Sequence, residues 1–141
     1  MGTGFGVGSS WILSAIAPTV QLITVDHSKE VVDITANHLK HPNVEFVCGD
    51  WKEVMAKGPF QFIFADAAAA KTMEGELMLQ VLANGGMLLM DDFTPEEHFP
   101  EEWKVKPDKV REFWLNQKDL VATEIYVTPT SSVILATKMR K

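Results

Sequence analysis

Three groups of residues in the 141-residue chain have types and spacings that could do chemistry. The first is Gly2-Thr3-Gly4-Phe5-Gly6-Val7-Gly8, directly ahead of a helical pattern from Ser9 to Ile16. Glycines let a backbone approach a ligand closely and adopt positive φ, and the free N–H groups of a helix start attract anionic or polar ligand groups. The plain alternative is a flexible terminus. The second group is a pair of acidic residues at strand ends. Asp26 closes QLITVD, where its carboxylate can accept hydrogen bonds from both hydroxyls of a ribose or can cap the next helix. Asp50, in Cys48-Gly49-Asp50-Trp51, can accept from an adenine amino group with the Trp51 ring face nearby, or can cap its own helix over a core tryptophan. The third group is Asp66, Asp91 and Asp92. Ends of neighbouring parallel strands lie about 4.8 Å apart, so carboxylates there can converge on one hard, oxygen-seeking cation. Without a cation they would repel one another, and aspartates that only cap turns in solvent are the competing reading.

The elements that must position these residues follow from pattern. Short β-branched or aromatic runs alternate with helical stretches, which predicts β/α units on a parallel sheet. Strands are expected at Gln21–Asp26, Val44–Cys48, Phe60–Ala65 and Met87–Met90, the last apolar throughout as in a strand covered on both faces. Helices are expected from Ser28, as N-cap, to Lys40 with Val31, Val32, Ile34 and Leu39 as its apolar face, from Asp50 to Lys57, from Ala68 to Leu82, and from Pro107 to Asn116. Thr94-Pro95-Glu96-Glu97 reads as a capping box whose helix Pro100 cuts to about one turn. Leu120–Val127 and Ser132–Lys138 are joined by four residues. So short a connection forces an antiparallel hairpin, since a parallel pair needs a crossover of a dozen or more residues.

Composition narrows the function classes. Apolar residues make up 46% and charged residues 23%, which is ordinary for a single globular domain spanning 1–141. No apolar run reaches the roughly 18 residues of a membrane helix. The net charge of −6 argues against a nucleic-acid partner, and the one basic cluster, Lys138, Arg140 and Lys141, is terminal. Lone Cys48, expected as a small buried hydrophobe in its strand, fits a reducing compartment, and the absence of a basic region before Trp11–Ala17 argues against a secretory signal, so a cytoplasmic location is expected. His27, His38, His41 and His98 share no metal-ligand spacing. Met73, Met78, Met87 and Met90 are expected as core fillers, while Trp103 and Trp114 could wall an acceptor pocket or pack down the loop beside them.

The glycine spacing is informative. A dinucleotide fingerprint starting at Gly2 or Gly4 would need glycine at position 7 or 9, where Val7 and Ser9 stand. The G-x-G-x-G form, with LITVDHS, VEFVCGDWKEV, FQFIFADA, ANGGMLLMDDF and the closing hairpin in that order, resembles the class I S-adenosylmethionine (SAM)-dependent methyltransferases. The DDF segment is similar to the catechol-type O-methyltransferases. The resemblance implies an α/β, Rossmann-like, mostly parallel sheet with a C-terminal antiparallel hairpin. It implies SAM bound by Gly2, Thr3, Gly4, Gly6, Ser9, Asp26, His27, Gly49, Asp50, Trp51 and Asp66. It further implies a divalent cation, usually magnesium, on Asp66, Asp91 and Asp92, the last standing where the family usually has Asn. That family's lysine base lies three residues after the first metal aspartate. Ala69 is there, and Lys71, two residues later, is carried as the catalytic base with Asp66. The expected reaction is in-line transfer of a methyl group to the oxygen of a small hydroxylated acceptor. A nicotinamide-dependent oxidoreductase domain and a non-catalytic binding module on the same fold are the rival readings.

In such a sheet the strand leading into the glycine loop is central, between Gln21–Asp26 and Phe60–Ala65, yet Met1 directly precedes Gly2. An open gap would leave buried peptide groups unsatisfied at about 1–3 kcal/mol each. Direct pairing of the flanking strands, a strand from a second chain, or an N-terminally truncated sequence would each account for it. Truncation is the favoured expectation, because it also accounts for the lack of N-terminal helices. With it comes the expectation of low stability and homo-oligomeric association through sheet edges.

Overall fold

The computed structural model describes residues 1–66 and 74–140. The chain divides into two compact units, Met1–Lys57 and Gly58–Lys141. The first contains helix α1 (Val7–Ala15), strand β1 (Leu22–Asp26), helix α2 (Lys29–His38), strand β2 (Val44–Cys48) and a 3₁₀ helix, Trp51–Lys57. β1 and β2 pair in parallel, with Leu22 opposite Val44 and Asp26 opposite Cys48. α2 starts where Ser28 stands because the Ser28 hydroxyl accepts from the Val31 N–H at 3.4 Å, satisfying one of the orphan donors of a first turn. Its buried face differs from the expected one. Val32 and Thr35 are buried, Ile34 is exposed, and Leu39 is the C-cap rather than part of the helix. Cys48 is exposed, contrary to expectation, because it ends β2 on a strand only partly covered.

The second unit runs through β3 (Phe60–Ala65), α3 (Gly75–Val81), β4 (Leu82–Phe93), a 3₁₀ turn (Glu96–His98), α4 (Glu101–Lys104), α5 (Lys109–Leu115), β5 (Leu120–Thr128) and β6 (Ser131–Lys138). Its four strands lie in the order β3-β4-β6-β5. β3 and β4 are parallel, β6 runs antiparallel to β5 as the short connection required, and β6 is also antiparallel to β4. Of the helix expected over Ala68–Leu82, Gly75–Val81 is helical, positions 68–73 lie outside the described residues, and Leu82 already pairs with Phe60. Asn84-Gly85-Gly86 lies inside β4. It forms an irregularity in β4, where the register jumps from Phe60 opposite Leu82 to Phe62 opposite Met87, and Gly85 takes φ 77°. The carbonyls left open at the end of α3 are met by Lys138 Nζ, which donates to Leu79 O at 2.6 Å and Leu82 O at 2.8 Å.

β4 is not covered on both faces. Leu88 and Met90 are fully buried, while Met87 is 45% exposed, so the strand alternates as one with a single dry face does. The core of this unit is built from Met78, Leu82, Leu88, Met90, Trp114, Ile134 and Ala136. Trp114 is a core residue, not a pocket wall, and it packs with Phe113 where a Gly75 side chain would otherwise sit: a Cβ there would lie 2.5 Å from Phe113 and 2.9 Å from Trp114. No capping box forms at Thr94. Pro95 is the N-cap of the 3₁₀ turn with no side-chain cap, because a proline backbone fixed at φ −55° already starts the turn. α5 is capped instead by Asp108, whose carboxylate accepts from Val110 and Arg111 N–H, both at 3.1 Å.

Candidate functional site

In the first unit the glycine loop is held against β1 and α2. Gly2 N–H donates to Val25 O at 3.0 Å, and the loop's only inward side chain, Thr3, meets the Thr24 hydroxyl at 2.8 Å. Gly2, Gly4 and Gly6 have φ of 84°, 49° and 83°, values that side-chain-bearing residues adopt at a cost. Gly6, the N-cap of α1, also has no room: a Cβ would lie 2.7 Å from Thr35 Cγ2. Gly4 is the reverse case, since nothing lies within 4 Å of where its Cβ would be, so a ligand has space to meet this stretch of backbone. The Thr35 hydroxyl donates to Gly4 O at 2.9 Å, so one α2 residue fixes the loop through both its hydroxyl and its methyl.

Asp26 sits across from this loop. One carboxylate oxygen accepts from Gly4 N–H at 3.2 Å and the other from Ser28 N–H at 3.0 Å, which leaves lone pairs on each oxygen for further donors. Burial alone would push this carboxyl up. The Ser28 and Gly4 amides, then the His27 ring and the Thr3 amide, outweigh burial and hold its pKa below the ordinary carboxylate value. His27 itself is 95% exposed, its ring nitrogen 3.5 Å from Asp26. Gly49 N–H donates to Asp26 O at 2.9 Å, so Asp26 and the Gly49-Asp50-Trp51 turn leave the β1–β2 ladder at the same end.

The other expected cofactor residues of this unit divide. Ser9 is buried with its hydroxyl 3.4 Å from Thr24 Oγ1, and it anchors the start of α1 to β1. Asp50 caps its own 3₁₀ helix, accepting from Lys52 N–H at 2.9 Å while Glu53 accepts from Asp50 N–H at 3.0 Å. That is a reciprocal capping box. The Glu53 carboxylate reaches it over Gly49, where a Cβ would lie 2.6 Å from Glu53 Oε1. Trp51 is buried, and among the described residues nothing accepts from its Nε1. Thr24 and Thr35 carry no sequence signal as loop holders, because a threonine in a strand or on a helix reads as an ordinary surface or packing residue.

The second unit brings Asp66, Asp91 and Asp92 together. One carboxylate oxygen from each lies within 4.8 Å of the others. Asp66 follows β3, Asp91 and Asp92 lie near the end of the neighbouring β4, and Asp91 Oδ1 accepts from Asp92 N–H at 2.8 Å. Asp92 has φ 62°, a conformation uncommon outside glycine but one in which Asp and Asn are several-fold enriched. Asp66 and Asp92 also line a cavity of about 610 Å³ with Phe93, Phe99, Trp103 and Lys106. Phe99 and Trp103 meet edge to face with centroids 5.7 Å apart, so Trp103 has the pocket-wall role that Trp114 lacks. An aromatic-walled cavity with a few convergent polar groups is what a small, flat molecule fits. Lys71 lies outside the described residues, as does Met73.

A nucleotide-type glycine loop with a strand-end aspartate beside it in the first unit, and acidic strand ends in the second, are features of the class of Rossmann-like, cofactor-binding folds. Residues 1–93 match the family described as "Methyltransferase domain". The protein-L-isoaspartate O-methyltransferase of Shewanella denitrificans is 37% identical over 94 residues, a match covering 64% of this chain and 42% of that relative. The O-methyltransferase TomG of Streptomyces achromogenes, involved in tomaymycin synthesis and solved with SAM, superposes with TM-score 0.77 at 20% identity over 97% of this chain and 70% of its own. An O-methyltransferase of Bacillus cereus solved with SAH gives TM-score 0.78 at 19% identity, over 96% and 70%. At those identities the two structures are a likeness of fold. The chain belongs to the methyltransferase-domain family, and its fold is that of the class I SAM-dependent methyltransferases. No described helix is long and apolar enough to cross a membrane.

Proposed function

We propose that this chain transfers the methyl group of SAM to a hydroxyl oxygen of a small acceptor. The observation that supports this best is the convergence of Asp66, Asp91 and Asp92 beside a cavity of about 610 Å³ with aromatic walls. Gly4, with open space over its backbone, and Asp26, with lone pairs to spare, are the residues to hold the cofactor's amino-acid and ribose parts. Asp50, which caps its 3₁₀ helix through one carboxylate oxygen, would accept from the adenine amino group with the other. The carboxylates fit a hard divalent cation such as magnesium, which takes oxygen ligands, since one oxygen from each lies within 4.8 Å of the others. Such an ion, when bound, would lower the acceptor hydroxyl's pKa. Phe99 and Trp103 hold the acceptor ring, and Lys71 is the residue to receive the hydroxyl proton. As the oxygen–methyl bond forms, the sulfur–methyl bond breaks and its electron pair stays on sulfur. Fixing the two reactants in line supplies most of the rate.

The test is transfer of labelled methyl from SAM to catechols, phenols and small acids, with and without magnesium, beside calorimetry with SAM and with NAD. Labelled product and heat of binding with SAM alone are expected. Binding of NAD with no binding of SAM would sink the proposal, and a rate indifferent to chelator would remove its cation.

A further inference from the structure

Arg111 is a charged side chain only 5% exposed, on the inner face of α5, and it does not line the cavity. Several of its partners do. Its Nη2 donates to Thr94 O, its Nε lies 3.3 Å from Asp108 and 3.9 Å from Glu96, and its Nη1 pairs with Glu124. Nε and Nη1 meet these carboxylates as ion pairs rather than as aligned hydrogen bonds. The guanidinium carbon also lies 5.6 Å from the ring centres of both Phe93 and Phe99. Glu124 in turn receives the Ser132 hydroxyl, which sits 3.3 Å from Phe93 O. Phe93, Thr94, Phe99 and Asp108 are all cavity-lining residues, and Phe93 directly follows the Asp91-Asp92 pair.

A buried guanidinium that meets a backbone carbonyl, three carboxylates and two aromatic rings is hard to replace, since lysine offers one point charge and no plane. We infer that Arg111 is the positioning residue of the acceptor cavity: it fixes the Phe93–Phe99 wall against α5 and the β5–β6 hairpin without touching the acceptor. The inference rests on the proposed methyl transfer for its kinetic arm and on acceptor binding for the other.

Arg111→Lys is compared with Val81→Ala, a core change at the end of α3 that does not line the cavity and lies at the opposite end of β3 and β4 from Asp66 and Asp91, at matched loss of Tm. For Arg111→Lys the acceptor KM is expected to rise about tenfold or more while the SAM KM stays within about twofold, with faster amide exchange confined to residues 93–99. Val81→Ala should move neither KM. Equal acceptor KM in the two variants, or exchange that quickens across the whole unit, overturns the inference. Should Arg111→Lys not fold, Glu124→Gln, which removes one partner and leaves the guanidinium its others, is read by the same criteria. An inactive wild type would instead overturn the methyl-transfer proposal. Arg111 is then judged by the affinity of 4-nitrocatechol, followed by its absorbance: weaker binding to Arg111→Lys supports the role and unchanged binding refutes it.

Discussion

The γ-methyl of Thr35 fills the space that a side chain on Gly6 would need, 2.7 Å from its ideal Cβ, while the same residue's hydroxyl holds Gly4 O at 2.9 Å. Gly6→Ala therefore meets two costs at once: a left-handed backbone, about 1–2 kcal/mol for a residue with a Cβ, and a clash with the helix. Lower stability and at least tenfold weaker SAM binding are expected, the former read by urea unfolding and the latter by calorimetry. Thr35→Ala removes the obstructing methyl, so the double variant should recover part of the loss in a double-mutant cycle. Strict additivity would mean that the contact does not shape the loop.

Asp26 makes acid sensitivity a test of the same loop. Its pKa is lowered in the folded chain, so its contribution to stability is present above the unfolded value of 3.8 and is lost as pH falls through the folded value. The stability difference between wild type and Asp26→Asn should be largest at neutral pH and shrink toward acid, measured by urea unfolding across that range. Asp26→Ala should also weaken SAM binding by about 1–3 kcal/mol, since ligand hydroxyls would be left unpaired. A constant gap at every pH would assign the effect to packing.

The strands, the glycine loop and the acidic strand ends were legible because each has a local cause: β-branched runs, positive-φ glycines, and a period that places Asp26, Asp66 and Asp91 at strand ends. Thr35 and Arg111 were not. Periodicity put Ile34 on the buried face of α2, but the loop needs a side chain with both a methyl and a hydroxyl, and Thr35 supplies both. Arg111 reads as a solvated charge in a helix, and only its partners Glu124, Asp108 and Thr94, gathered from separate segments, account for its burial. The ambiguity at Asp50 was real in the sequence, and its carboxylate takes the capping position with Glu53 as the reciprocal partner.

The three aspartates should not respond alike to substitution. Asp66→Ala or Asp91→Ala is expected to abolish chelator-sensitive transfer and leave SAM affinity nearly intact. Asp92→Asn should keep most of the rate, because Asn tolerates the φ of 62° as well as Asp does and still offers an oxygen ligand. Asp92→Ala loses both and should behave like the other two. The assay is initial rate against magnesium concentration. A loss in Asp92→Asn as deep as in Asp66→Ala would show that charge rather than geometry governs this position.

Trp51 offers a stability test independent of any ligand. Its ring is buried, yet among the described residues no acceptor meets its Nε1. A buried donor without a partner costs about 1–3 kcal/mol, whereas the apolar ring area is stabilising in proportion to its size. Trp51→Phe removes the donor and gives up part of the ring, so the two effects oppose and a change within about 1 kcal/mol of wild type is expected in chemical denaturation. Trp51→Ala removes the whole ring and should cost about 3–5 kcal/mol, the usual penalty for emptying an aromatic core site. If Phe proves nearly as damaging as Ala, the indole nitrogen has a partner in solution, and an ordered water or a neighbouring carbonyl would be sought there first.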